Sequence, residues 1–430
     1  MGFEHEDYCK YIDESIFHKK LNSGLDVYVL AKKHFAKKYA FFGTHYGGMN
    51  NVFEVDGLGR VEMPQGIAHF LEHQIFEDEL ESTFEKFEKI GASVNAYTSN
   101  GSTVYHIETV DEFDQALKLL MNFVLDAQIT DRSVEKEKEV IIQEIKMYED
   151  EPEWLMGTNL MTGMYHNHPV KDDIAGTVES VRSTTKEQLL KCYEYFYNPS
   201  NMAVFVFGDV DPDHIFDLVE SNQTDAFIQR KTTPKFIMPN EPYGIVRPKT
   251  IITKSIAKDS LIVGFKANPD IKKEDRELKL AALRVASDMM FGKSSNAFSR
   301  AYEKGWITDS YDMDVQLGDG YAYSVFGNQT DHVDLLHEEI FRTVEWHLNN
   351  GFEHEDFLRM KRKLLGRFVA SFNSLQSIAS NYTFKKMRGF DLFEQVEAFN
   401  KLSYDDIQSS VKNFYNLSNS SMSAMIKDKK

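Results

Sequence analysis

Two short passages recur half a chain apart, and such a duplication limits the possible folds more than any single motif does. Residues 196–201 read Phe-Tyr-Asn-Pro-Ser-Asn and residues 414–419 read Phe-Tyr-Asn-Leu-Ser-Asn. Each follows a polar start and an amphipathic helical stretch, Thr184–Leu190 in the first case and Ser403–Ile407 in the second. Each then leads into a run with strand character, Met202–Gly208 and Ser421–Ile426. A second match, Gly91–Tyr97 against Gly305–Tyr311, stands earlier in each half. Two matches in the same order at similar spacing point to one structural unit used twice. A chain of 430 residues is also too long for one ordinary core.

The expected boundary is the polar stretch from about Ser221 to Pro248, where Pro234, Pro239, Pro242 and Pro248 break helices and strands. This gives an N-terminal domain over 1–225, a linker over 226–245 and a C-terminal domain over 246–430. Strand-like runs (Leu25–Leu30, Val104–Glu108, Ala203–Phe207) mix with long amphipathic helices (Asp111–Ala127, Ser133–Tyr148) out of strict alternation. The order favours two α+β domains over a doubly wound parallel sheet. A net charge of −18 argues against a nucleic-acid partner, which needs clustered Lys and Arg. Only Cys9 and Cys192 occur, which excludes a disulfide framework or Cys-rich metal site and fits a reducing compartment. The segment Met1–Asp7 is acidic rather than a signal peptide, and no apolar run is long enough for a membrane span. The expectation is a cytoplasmic protein.

The chemically informative segment is Gly66-Ile67-Ala68-His69-Phe70-Leu71-Glu72-His73. On a helix, His69 and His73 are one turn apart on one face, a spacing that lets two imidazoles share a Zn²⁺. Glu72 stands at the edge of that face, where a carboxylate can take a proton from a metal-activated water without being a ligand. This is the His-x-x-Glu-His pattern. A catalytic zinc needs a third protein ligand, and the best source is the helix around Glu135–Ile145. Glu137 and Glu144 are seven apart on one face. Spacing does not choose between them, and Glu139 stays in contention. His166 and His168 form a rival pair, but an i,i+2 spacing before Pro169 does not suit one helical face. Two histidines at i,i+4 are by themselves more often ordinary surface or core residues, and Glu135–Glu139 alone reads as a solvated face.

With these residues assembled, the chain resembles the pitrilysin/insulinase family of inverzincin metallopeptidases, of the half-length bacterial processing-peptidase type, over nearly its whole length. The resemblance implies His69, His73 and Glu144 as zinc ligands, Glu72 as general base and Glu137 as the glutamate supporting the ligands. Gly91–Thr98 is similar to the family's edge strand, where Asn95 and Ala96 would hold a peptide substrate as an added strand. It also implies two homologous domains, each a mainly antiparallel sheet packed with helices, together forming half of a clamshell whose other half is a second chain. Only the first domain would carry zinc, and Leu283–Phe291 indeed has no histidine to match His69 or His73.

One departure bears on activity. Active members place an Arg and a Tyr around a Gly, but here Tyr302 and Thr308 stand at those places, with Arg300 and Tyr311 out of register. The expectation is therefore a dimer with a zinc-less homologous subunit that supplies the pair. The leading function is a zinc-dependent endopeptidase hydrolysing short or unfolded peptides in a dimeric chamber. The competing one is a zinc- or peptide-binding scaffold subunit with little activity unless paired.

Overall fold

A run of seven apolar residues, Met202–Gly208, is too uniformly hydrophobic for a strand with one wet face, and it becomes the centre of a sheet covered on both sides. The computed structural model describes residues 5–9, 13–77, 82–232, 234–309 and 311–428. The Met1–Glu4 part of the terminal segment and Ser310 in the repeat lie outside these, as does the side chain of Cys9.

The strands are β1 (His5–Cys9), β2 (Glu14–Lys20), β3 (Asp26–Ala31), β4 (Lys38–Thr44), β5 (Val52–Val55), β6 (Gly59–Glu62), β7 (Ser93–Thr98), β8 (Thr103–Thr109), β9 (Met202–Gly208) and β10 (Lys235–Phe236), followed by β11 (Lys249–Lys254), β12 (Ser260–Lys266), β13 (Asp312–Leu317), β14 (Ala322–Gln329) and β15 (Ser420–Lys427). The helices are α1 (Ile67–Phe76), α2 (Thr83–Glu88), α3 (Phe113–Leu125), α4 (Asp131–Asp150), α5 (Pro152–Met164), α6 (Val178–Ser183), α7 (Lys186–Phe196) and α8 (Pro212–Ser221). They continue as α9 (Asp225–Gln229), α10 (Arg276–Phe291), α11 (Asn296–Glu303), α12 (Val333–Asn350), α13 (His354–Ser371), α14 (Leu375–Met387), α15 (Leu392–Lys401) and α16 (Tyr404–Phe414). The expected strands and helices quoted above all appear, differing only at their ends.

The first sheet has the order β1-β2-β3-β9-β4-β8-β7, and the second has β11-β15-β12-β14-β13. In each, one pair is parallel (β3 with β9, β11 with β15) and the neighbours that follow are antiparallel. Five strands of the first sheet thus recur in the same order and sense in the second. The fold is α+β with two units of one mainly antiparallel topology.

The repeat holds best where it carries structure. Asn198 and Asn416 both cap a short 3-10 turn by accepting from a serine amide two residues on, just before β9 and β15. Gly91 and Gly305 both take left-handed φ, 69° and 70°, at the ends of α2 and α11. The tyrosines do not correspond, however. Tyr97 lies in β7 opposite Val104, and the equivalent hairpin position is Gln316 opposite Tyr323. Tyr311 precedes β13, because the second copy has a longer connection between its glycine and its strand.

The compact units are not contiguous pieces of sequence. One comprises 1–146, 173–237 and 371–392, and the other 147–172, 238–370 and 393–430. The helix α14 covers β4 and β9, packing Tyr382 against Tyr28, Phe205 and Phe207. Gly43 leaves room there for Met387, whose Sδ would lie 3.0 Å from a Cβ at that position. In the second unit α5 covers β12 and β15, with Met164 over Gly264. Each sheet therefore takes the helix over one face from the other half of the sequence.

Candidate metal centre

Helix α1 starts at a backbone conformation that only glycine accepts cheaply. Gly66 has φ 82°, and a Cβ there would sit 2.2 Å from the Ala175 carbonyl oxygen. Ile67, Ala68, Phe70, Leu71 and Ile75 are buried in the first unit's core, which fixes the helix's rotation about its axis. His69 and His73 then share the remaining face, their ring centroids 4.6 Å apart. Contacts from α1 and its C-cap residue Glu77 hold it to α4: Gln74 donates to Ser133 Oγ at 2.7 Å, Lys136 pairs with Glu77 at 2.7 Å, and His73 Nδ1 lies 3.2 Å from Glu137 Oε2.

The two glutamates of α4 take different places. Glu144 Oε2 lies 3.4 Å from His73 Nε2 and 3.7 Å from His69 Nε2. Glu137, only 5% exposed, instead receives the Nδ1 proton of His73. That bond engages Nδ1 and leaves Nε2 as the nitrogen that faces Glu144, the one a metal would take once its proton is lost. Glu139 is exposed. One ligand atom from each of His69, His73 and Glu144 can be chosen so that all lie within 4.8 Å of one another. Tetrahedral zinc with bonds of ~2.0–2.1 Å separates its ligands by roughly 3.4 Å, so two of these separations match with little movement. His69 Nδ1 is buried without a hydrogen-bond partner among the described residues.

Electrostatics point the same way. Glu72, Glu137 and Glu144 surround two imidazoles, a donor set that attracts a divalent cation. Burial would lower the pKa of His73, but its hydrogen bonds to Glu137 and Glu144, with the charges of Glu72 and Glu144, push it up to about 10. Burial and the neighbouring charge of His73 pull His69 down to about 4. Burial also raises the carboxyl of Glu72, partly offset by a hydrogen bond from Thr98. The donors present fit zinc: two imidazoles, of which His73 would give up a proton on binding the metal, and one carboxylate, with no fourth protein ligand in the cluster found among the described residues.

The substrate-side expectation falls on β7. This strand ends the sheet, pairing only with β8 among the described residues, so its outer edge is open. Asn95 is exposed, and its Oδ1 accepts from the Ala96 amide at 2.8 Å. Val94 and Ala96 pack into the core, and Thr98, on the same side of the pleat, donates to Glu72 Oε2 at 2.7 Å. Thr98 and the Gln74–Ser133 link received no role from the sequence. Thr98 could have been singled out only by noting that it shares the pleat face of Val94 and Ala96.

Residues 60–178 match the family described as Insulinase (Peptidase family M16), and residues 183–364 match Peptidase M16 inactive domain. The chain is 36% identical over 405 residues to the uncharacterized zinc protease YmfH of Bacillus subtilis, covering 93% of this chain and 94% of that one. The chain belongs to peptidase family M16. Among solved structures it is similar to an M16-like peptidase from Alicyclobacillus acidocaldarius, with a TM-score of 0.92, 32% identity, and coverage of 96% of this chain and 99% of that one. Pitrilysin shares the fold at a TM-score of 0.76 and 13% identity, and the match spans 99% of this chain but 46% of pitrilysin.

The second unit repeats the arrangement without a cluster of metal donors among the described residues. Its α10 packs on β13 as α1 packs on β7. Where His73 and Glu137 join α1 to α4, Asp288 of α10 receives Lys363 of α13 at 2.8 and 3.0 Å, with Arg367 at 4.0 Å. An ion pair replaces the imidazole–carboxylate cluster. Of the rival pair of histidines, His168 is otherwise engaged: it is buried, its Nε2 2.9 Å from the Asp319 carbonyl and its Nδ1 accepting from the Val170 amide, while His166 is exposed. Arg300 gives its guanidinium to the buried Glu339 at 2.7 and 3.1 Å, and Tyr311 is 3% exposed. No helix among the described residues is long and apolar enough to cross a membrane.

Proposed function

We propose that the chain is a zinc-dependent endopeptidase acting on short or unfolded peptides, with His69, His73 and Glu144 as ligands and Glu72 as general base. The observation that carries this reading is the convergence of His69, His73 and Glu144 beside a buried Glu72 that is hydrogen-bonded to an open edge strand. When bound, zinc supplies Lewis acidity and lowers the pKa of a water towards ~7. Glu72 holds one oxygen against Thr98 and has the other available to accept the proton of the attacking water, then return it to the leaving amine. Glu137 keeps His73 in the ligating tautomer. A peptide laid along β7 would pair with the backbone at Asn95 and Ala96, which sets its scissile bond by strand register rather than by sequence. Two cysteines in the chain, one of them the buried free thiol of Cys192, support action in a reducing compartment such as the cytoplasm.

The engagement of Arg300 by Glu339 and the burial of Tyr311 favour one refinement. With Arg300 paired to Glu339 and Tyr311 buried, full activity is assigned to a dimer in which a zinc-less homologous subunit provides the groups that stabilise a developing oxyanion. The test is peptide cleavage by the pure chain, with and without chelator, beside Glu72→Gln and with zinc content measured in each sample. Cleavage that is chelator-sensitive and lost in Glu72→Gln, with zinc retained in both, is the expected outcome. Normal cleavage by Glu72→Gln would exclude the mechanism. Full-rate cleavage by the wild-type chain alone would exclude the need for a second, different subunit.

A further inference from the structure

A general base that takes a proton through one oxygen must have its carboxylate plane fixed, since a freely turning side chain spreads the base over many poses. Glu72 is 8% exposed, and its hydrogen bond among the described residues comes from Thr98 Oγ1 to Oε2, at 2.7 Å. Thr98 Oγ1 also lies 3.2 Å from Thr103 Oγ1, and the Thr103 hydroxyl donates to the Tyr46 carbonyl at 2.9 Å. The shorter contact, to a carboxylate oxygen, is the stronger acceptor for the Thr98 proton. Thr103, paired with Thr98 across the β7–β8 hairpin and anchored to the backbone at Tyr46, braces it from behind.

We propose that Thr98 is a positioning residue that ties the base to the substrate strand. It acts through Glu72 and touches neither substrate nor the reacting atoms. Its side chain holds Glu72 Oε2, which leaves Oε1 directed to the reaction, while its backbone is the last residue of the strand whose Asn95–Ala96 segment would pair with the peptide. One residue thereby sets the distance between the base and the register of the scissile bond. Because Thr98 is not among the groups that converge as metal donors, its loss should leave zinc binding unchanged. The inference rests on the peptidase reading above.

The experiment compares the wild-type chain, Thr98→Val, Thr98→Ser and Glu72→Gln. Thermal melting, zinc affinity by competition with a chromophoric chelator, kcat and KM are measured for each. Valine keeps the branched shape and strand preference but has no hydroxyl. The expected result is a kcat lowered ~10–100-fold in Thr98→Val, the range for removing a group that orients a metal-site residue, with KM and zinc affinity within twofold of wild type. Thr98→Ser should recover most of the kcat. A Thr98→Val enzyme with wild-type kcat overturns the proposal, as does one whose zinc affinity falls as far as its kcat, which would mark a merely structural role. If the wild-type chain binds zinc but cleaves nothing, that result bears on the peptidase reading or on the missing partner subunit, and not on Thr98. Metal-free crystal structures then decide Thr98 separately: a Glu72 carboxylate turned from its place in Thr98→Val but not in Thr98→Ser supports the proposal, and an unmoved carboxylate overturns it.

Discussion

Glutamine placed in turn at the two glutamates of α4 separates a ligand from its support. Glu144 Oε2 faces both Nε2 atoms at 3.4 and 3.7 Å, whereas Glu137 lies at 3.2 Å from the opposite nitrogen of the His73 ring. Glu144→Gln substitutes a neutral amide for an anionic ligand and leaves two imidazoles to hold the ion, so zinc affinity should collapse. Glu137→Gln keeps an acceptor for the Nδ1 proton but loses its charge. The expected cost is ~10–100-fold in zinc affinity, the usual range for such supporting groups, or about 1.4–2.7 kcal/mol. Competition against a chromophoric chelator at neutral pH measures both losses on one scale. Excess zinc should restore the activity of Glu137→Gln and not that of Glu144→Gln. Equal losses, or a larger loss at Glu137, would refute the division of roles. The metal-free proteins provide a control: His73 is held protonated largely by its bonds to these two carboxylates, so both variants should also melt lower without zinc.

Other outcomes follow from the same geometry. Gly66→Ala forces a side chain into left-handed φ at a cost of ~1–3 kcal/mol and against the Ala175 carbonyl, so it should lower both the melting temperature and zinc uptake by displacing the first turn of α1. In the second unit, the buried Lys266 pairs with Glu241 at 2.6 Å, and Glu241 also accepts the amides of His166, Asn167 and His168. Burial alone would raise the Glu241 pKa, but Lys266 and the three amides lower it from 4.5 to about 2. A depressed carboxylate stabilises the fold above its unfolded pKa, so ~3 kcal/mol present at neutral pH should be lost as pH falls from 4.5 towards 2. Glu241→Gln should flatten that part of the acid-unfolding curve. It should also destabilise the protein at neutral pH by ~3–5 kcal/mol, through the unpaired Lys266, with zinc content unchanged.

The spacing of His69, Glu72 and His73 was enough to place them on one helical face, because helix geometry is local and repeats every few residues. The duplication was legible for a similar reason: capping asparagines and turn glycines such as Asn198, Asn416, Gly91 and Gly305 answer to backbone needs within a few residues of themselves. The uniform apolarity of Met202–Gly208 likewise told of burial on both faces. It could not tell what would cover the second face, since α14 comes from far downstream and only packing brings it there. The choice between Glu137 and Glu144 was hidden from spacing and came only from the resemblance to a family. Seven residues put both on one side of α4, and the docking of α4 against α1 turns one towards Nδ1 and the other towards Nε2 of His73. Thr98 meets Glu72 only because the pleat of β7 faces α1, and Arg300 is spent because Glu339 lies buried beside it. Local periodicity determines which residues can share a face. Which faces meet is decided by the tertiary fold, since hydrogen bonds and ion pairs reach only a few ångströms and form between whatever the core brings together.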